Sequence, residues 1–276
     1  MTYPVEYLDQ PREVALETFS KCQASCTFCP YTILSRIGTK MPDTLIEAVM
    51  EQMERFEIPF FFTPFHVNEP LLDVRVLPLL ADFNRRIPKG AIRLFTNGGP
   101  LTDAAVDKIE ELERVAHLWI SLNEYRPLEY SKLMGLDFER TARNLDRLHS
   151  RAKFPHPVVL STVGYPNEAF RRYCFHRWPK FQSTALKRDA WIDFTDPQIT
   201  TVPDRPCGRW WELAIMADGN VSHCCRDGQG KYPIGNIKLQ SLMEIYNAPF
   251  WRERREKLLS RKVLDDRSPC ARCTYE

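Results

Sequence analysis

Cys22, Cys26 and Cys29 stand in a Cys-x3-Cys-x2-Cys spacing that is followed at once by Pro30. Three thiolates this close in sequence can face one point, and thiolates are the ligands of iron–sulfur clusters. A [4Fe-4S] cube takes four ligands, so three cysteines leave one iron open to another molecule. Zinc is the competing occupant, but a closed zinc site takes four protein ligands, usually as one Cys-x2-Cys unit with a second nearby. No second pair follows in the next stretch. Further along come Cys207, the adjacent Cys224 and Cys225, and Cys270-x2-Cys273. The last pair alone would suit zinc or redox chemistry. A cysteine on a hairpin and another before it weaken that reading, because a closed cluster needs four ligands. Cys174, inside a helical stretch, reads as a small buried residue.

The elements that must hold these thiols follow from periodicity. Short β-rich runs at 13–19, 60–65, 91–96, 117–122, 158–163 and 190–194 alternate with helical patterns at 43–56, 71–87, 102–112, 138–152 and 167–178. Strands separated by helices of this length form right-handed βαβ units and a parallel sheet. Six such units fall short of the eight that close a barrel. The expected fold class is therefore α/β, a partial (β/α)6 TIM barrel with its chemistry at the carboxyl ends of the strands. After about residue 195 the pattern changes to prolines, cysteines, a hairpin over 213–224 turning at Asp218-Gly219, and helices at 241–246 and 249–260. Two domains are expected, 1–195 and 196–276, the second a small β-hairpin plus helix module.

Composition narrows the class. With 43% hydrophobic and 12% aromatic residues among 276, the chain has ample material for a packed core. Lys and Arg number 38 against 36 for Asp and Glu, so no field that would steer nucleic acid is expected. The basic run 252–262 alternates with Glu253 and Glu256 and reads as a solvated helix face. No leader pattern opens the sequence and no apolar run reaches the ~18 residues of a membrane span. A cytoplasmic protein without membrane attachment is expected. Nine cysteines suit reduced metal-binding thiolates better than disulfides, since an odd number cannot all pair within one molecule.

The cysteine spacing, placed directly after the first strand, resembles the radical S-adenosylmethionine superfamily. That resemblance implies a [4Fe-4S] cluster on Cys22, Cys26 and Cys29, with S-adenosylmethionine bound through its methionyl group at the open iron and cleaved to a 5′-deoxyadenosyl radical. It implies that Phe28 and Tyr31 flank cluster and adenine. Where the family carries Gly-Gly-Glu-Pro or Gly-Glu-Pro, this chain has Val67-Asn68-Glu69-Pro70, and Glu69 offers a carboxylate to the ammonium group. Thr96-Asn97-Gly98 after the third strand, and Ser121 and Asn123 after the fourth, fall where relatives contact the methionyl group and ribose. The order of the later cysteines resembles the twitch module, a shortened SPASM domain with one auxiliary [4Fe-4S] cluster. The likeness includes Asp218-Gly219-Asn220-Val221, Gly235-Asn236-Ile237 and residues 241–246. One of Cys224 and Cys225 is then surplus, since neighbours on a strand face opposite ways. The surplus thiol is either inert or a hydrogen-atom donor, as in the superfamily's radical epimerases.

Peptide-modifying members usually carry a further recognition domain, for which barrel and twitch module leave no room, so a small-molecule substrate is expected. In size and layout the chain is similar to the superfamily's aminocyclitol dehydrogenases of antibiotic biosynthesis. That implies oxidation of a secondary alcohol on a sugar or aminocyclitol, with a flavodoxin- or ferredoxin-type electron donor. Epimerisation, dehydration and peptide maturation are the alternatives. His66, Glu124, Tyr125, Arg188 and Asp193 are candidates to hold a polyol. Glu124 or Asp193 is preferred for proton removal, because arginine stays charged.

Overall fold

The structure, a computed structural model, describes residues 5–163, 167–186, 191–194 and 201–275. Its first strand, β1 (Glu13–Leu16), is followed by α1 (Asp43–Met53), β2 (Phe60–Thr63), α2 (Val76–Arg86), β3 (Gly90–Thr96), α3 (Asp103–Glu110) and β4 (Val115–Ser121). Two helices follow, α4 (Pro127–Met134) and α5 (Phe138–Ser150), and then β5 (Val158–Val163), α6 (Glu168–Arg177) and β6 (Gln182–Leu186). All six strands run parallel in the order β6-β5-β4-β3-β2-β1.

The helices form where the pattern and caps agree. In α1, Ile46, Val49, Met50 and Met53 make one buried stripe. The Thr102 hydroxyl accepts from Ala105 N at 3.2 Å and starts α3. Helix stripes meet one face of the sheet, where Val14, Leu16, Phe62, Ile92, Leu94, Leu118, Ile120 and Leu160 are buried. The alternate residues of β3, Arg93 and Phe95, turn to the other, concave face, where Phe95 meets Phe65, His117 and Trp119 and Arg93 lies 3.5 Å over Phe61.

The sheet does not stop at β1. Strand β7 (Glu212–Ile215) pairs parallel to β1, with Glu13 opposite Glu212, and β8 (Asn220–Ser222) and β9 (Gly235–Asn236) continue antiparallel. The hairpin expected over 213–224 is thus the far end of one nine-stranded sheet. Two helices close the chain, α7 (Leu242–Tyr246), opened by a Ser241–Glu244 capping box, and α8 (Pro249–Glu256).

The sequence reading is corrected at three places. The sixth strand, expected at 190–194, is β6 eight residues earlier, and Trp191 to Phe194 form a turn, Ala190 lying outside the described residues. Gln182-Ser-Thr-Ala-Leu186 is short and mostly polar, so its apolar signal was the weaker of the two. Helix α4 was missed because Pro127 and Gly135 bracket only eight residues. The basic run is a solvated face only in part: Glu253, Glu256, Lys257 and Lys262 are exposed, but Arg254, Arg255 and Arg261 are each 1% exposed.

Candidate active site

The loop after β1 carries Cys22, Cys26 and Cys29, and the end of α4 fixes it. Ser25 N donates to Met134 O at 3.0 Å and Thr27 N to Leu133 O at 2.9 Å. Cys26 Sγ lies 3.5 Å from Met134 Sδ. Gly135, at φ 67°, has the left-handed backbone that ends α4, and a Cβ there would stand 2.0 Å from Ser25 Oγ. Cys22 Sγ accepts from Ala24 N at 3.4 Å and faces Asn97 Nδ2 at 3.8 Å. Burial pushes the Cys22 thiol up to about 12 and Cys29 to about 11, and Cys26 rises through burial and the neighbouring Cys29 and Cys22. Such thiols ionise only against a cationic partner, which a metal cluster supplies.

Strand ends β2 and β3 meet at Glu69. Its carboxylate accepts from Thr96 Oγ1 at 2.8 Å, Asn97 N at 2.7 Å and Leu71 N at 3.3 Å. Burial raises its pKa to about 7 against those three bonds. A carboxylate offers about four acceptor sites, so one is left for an ammonium group. Asn68 Nδ2, in the same loop, is a buried donor with no partner, and Pro70 starts the short turn that follows. Asn123, left-handed at φ 63°, ties β4 to β5 by accepting from Val163 N at 3.1 Å and from Thr162 Oγ1 at 2.6 Å. Ser121 lies opposite Ser161 in that pair. Phe28 and Tyr31 are half-buried in the cysteine loop.

The expected substrate residues are more scattered. Glu124 is chelated by Arg126 at 2.8 and 3.1 Å, and these bonds hold its carboxyl low against burial. Tyr125 stacks on Tyr173 at 4.8 Å. Asp193 accepts from Tyr232 Oη at 2.6 Å and from Arg272 at 3.1 Å, Tyr232 first among the causes of its lowered pKa. Arg188 lies outside the described residues. His66 is buried beside the Cys224 backbone, and burial pulls its pKa to about 4. It receives Arg36 Nη2 at 3.3 Å, and Arg36 is gripped by Glu17 at 2.7 and 3.2 Å while donating to Gly228 O at 2.9 Å.

The later cysteines separate into two environments. Cys207 and Cys270 are buried among Trp210, Trp211 and Trp251. Burial raises Cys224, with the thiols of Cys225, Cys270 and Cys207 beside it; Cys207 in turn neighbours Cys270 and Cys273. Cys225 is raised by burial too, but its other neighbours are Arg209, Arg226, Glu212 and Glu13. Cys207, Cys224 and Cys270 thus lie near one another with Cys273 beside Cys207, and Cys225, next to Cys224, also meets charged residues of the concave face. Around the four thiols stand donors: His223 Nε2 lies 3.1 Å and Arg254 Nη1 3.6 Å from Cys270 Sγ. The buried Trp210 Nε1, Arg254 Nε and Arg261 Nε have no partner. Buried donors without acceptors fit an acceptor-rich cluster of sulfides and thiolates. Among the described residues no three such side chains are arranged for a single metal ion; in a cube each thiolate binds a different iron.

Comparison with known families agrees with this geometry. The family model described as the Radical SAM superfamily matches residues 16–172, more than half of the chain. The chain belongs to the radical SAM superfamily. A second model, the SPASM iron-sulfur cluster-binding domain, matches residues 207–274. This radical SAM chain accordingly uses a [4Fe-4S] cluster with S-adenosylmethionine, and its SPASM region an auxiliary iron–sulfur cluster. Among solved structures, BtrN in complex with AdoMet and 2-DOIA superposes with TM-score 0.63 at 17% identity, over 96% of this chain and 93% of that one. Streptococcus suis SuiB bound to precursor peptide SuiA gives 0.69 at 13%, over 96% and 70%. Native anSMEcpe with bound AdoMet gives 0.62 at 13%, over 90% and 82%. At these identities the likeness is one of fold. No curated protein sequence matches the chain. Among the described residues no helix is long and apolar enough to cross a membrane.

Sequence reasoning missed the concave face of this radical SAM fold. Glu13 accepts from Thr63 Oγ1 at 2.5 Å and from Arg93 at 2.6 Å, and burial with the adjacent Glu212 raises its pKa. Against burial, Arg209 and Arg12 hold Glu212 low. His117 and Trp119 line the same face, with Trp119 Nε1 donating to Ser161 Oγ at 2.8 Å. The available signal was alternation: Ala91, Arg93 and Phe95 interleave with the buried Ile92 and Leu94.

Proposed function

We propose that the protein oxidises a secondary alcohol of a small polyol, a sugar or aminocyclitol, to the ketone. The observation that carries this reading is the proximity of Cys207, Cys224 and Cys270, with Cys273 beside Cys207, a set that would supply four thiolates to one cluster. A cluster closed by four thiolates has no open iron, so its use is electron transfer rather than substrate binding. Dehydrogenation, unlike epimerisation or dehydration, removes two electrons from its substrate and so needs a second electron acceptor. The near-complete mutual coverage with BtrN, whose structure holds AdoMet and 2-DOIA, supports a small substrate.

In this reading Cys22, Cys26 and Cys29 hold the first cluster and Cys207, Cys224, Cys270 and Cys273 the auxiliary one. When bound, cluster and S-adenosylmethionine supply a carbon radical that removes the carbinol hydrogen. Glu69, positioned by Thr96 and Asn97, accepts the methionyl ammonium group. Asn68 offers its free amide, and Ser121 and Asn123 present polar groups at the end of β4. Phe28 and Tyr31 exclude water around the adenine. Glu124 is the proton acceptor: Arg126 keeps it ionised, as a base must be, and it follows Asn123 at the strand end where the chemistry occurs. Residues 1–195 form the catalytic half and 196–276 the electron-accepting module, and a flavodoxin- or ferredoxin-type protein is the donor.

Epimerisation is the second reading, favoured by Cys225 lying on the concave face beside Glu13 and Arg209. Anaerobic turnover with S-adenosylmethionine, a chemical reductant and a panel of sugars and aminocyclitols tests both. Dehydrogenation gives one 5′-deoxyadenosine per product and a product about two mass units lighter, as removal of two hydrogens requires. A product of unchanged mass carrying solvent deuterium would replace it with epimerisation, and reaction only with peptides would replace the substrate class.

A further inference from the structure

Helix α8 buries a cation that no carboxylate among the described residues neutralises. Arg254 is 1% exposed. Its guanidinium packs against Phe250 at 3.9 Å, Trp251 at 4.9 Å and Trp210 at 5.4 Å. One nitrogen donates to Ser268 Oγ at 3.0 Å, another faces Cys270 Sγ at 3.6 Å, and Nε has no partner. Among the described residues its anionic neighbours are the thiols of Cys270 and Cys207 alone. An uncompensated buried charge costs several kcal/mol, and protonated thiols would not compensate it. The aromatic rings offset part of that cost; the remainder points to a negative object at the cysteines.

We propose that Arg254 is the built-in counter-charge of the auxiliary cluster, acting through Cys270, and that it raises the potential at which that cluster accepts an electron. A fixed positive charge in a water-poor pocket favours the more negative, reduced state, and hydrogen bonds to ligand sulfur act in the same direction. His223, 3.1 Å from the same sulfur and held edge-on by Trp251 at 4.7 Å, adds a second nitrogen to Cys270. Arg254 is a positioning residue: it reaches the iron only through the thiolate. The role rests on the reading of the four thiols as an electron-accepting site, and it makes that site better suited to taking an electron than to delivering one.

The test is the midpoint potential of the auxiliary cluster in full-length holoenzyme, without substrate, by redox titration followed with electron paramagnetic resonance. Its signal is the one that survives when Cys22, Cys26 and Cys29 are changed to alanine. Arg254→Met is expected to shift the potential to more negative values at full iron content, and Arg254→Lys to restore most of the shift. An unchanged potential in an iron-replete Arg254→Met protein overturns the proposal. Should Arg254→Met lose iron or fail to fold while Arg254→Lys keeps both iron and potential, charge is the requirement and the proposal stands. Loss of iron in both variants would assign Arg254 to shape rather than charge and overturn it. Substrate plays no part in this measurement, so a failed dehydrogenase assay and a failed counter-charge are told apart.

Discussion

Cys224 and Cys225 are adjacent but keep different company. Beyond its neighbour Cys225, Cys224 lies beside Cys270 and Cys207, whereas Cys225 lies beside two carboxylates and two guanidinium groups. Iron counting on anaerobically purified variants separates them: Cys224→Ser should retain about four of about eight irons, whereas Cys225→Ser should retain all of them. Equal losses would mean that both thiols bind. The residue types and spacing of Cys22, Cys26 and Cys29, and the order of the later cysteines, were legible because metal ligation demands particular atoms. The choice within the pair was not, since it depends on how β8 leaves the sheet. Arg254 was misread for a related reason: charge in a helical pattern ordinarily means solvent, and the thiols that draw it inward are distant in sequence.

Among the elements, α4 has the widest influence for its length. Its last turn holds the cysteine loop through Met134 O and Leu133 O, and Gly135 lets the chain leave without touching Ser25. Gly135→Ala forces a side chain into the left-handed region and against that loop. A cost of about 1–3 kcal/mol is expected, read as a lower unfolding midpoint together with incomplete loading of the first cluster. A variant with full iron and unaltered midpoint would remove α4 from this role. Helix starts such as Thr102 and Ser241 were readable from capping residues. The sixth strand was not, because Gln182–Leu186 is held by β5 rather than by any apolar run of its own.

At the scale of the whole molecule, Glu17 and Arg36 bind the segment after β1 to the segment after β7. Glu17 follows β1, and its carboxylate accepts from Ala217 N at 3.2 Å as well as from Arg36, which reaches Gly228 O. Both side chains are buried. Arg36→Met leaves a buried carboxylate unpaired and should lower unfolding stability by about 3–5 kcal/mol, with Glu17→Gln/Arg36→Met recovering part of the loss. Additive losses in denaturant titrations would show that the two groups do not act as a pair. The α/β class and parallel order were legible from alternation of strand and helix; the extension of the sheet past β1 was not, because the partner of Glu13 stands 199 positions away at Glu212. That pairing has a temporal consequence. During synthesis β1 leaves the ribosome well before β7, and one of its edges stays unsatisfied until β7 arrives. An exposed parallel edge is slow to pair and prone to wrong partners, so the nascent sheet carries an adhesive flank until β7 is made, and chains truncated before residue 212 are expected to collect as aggregates.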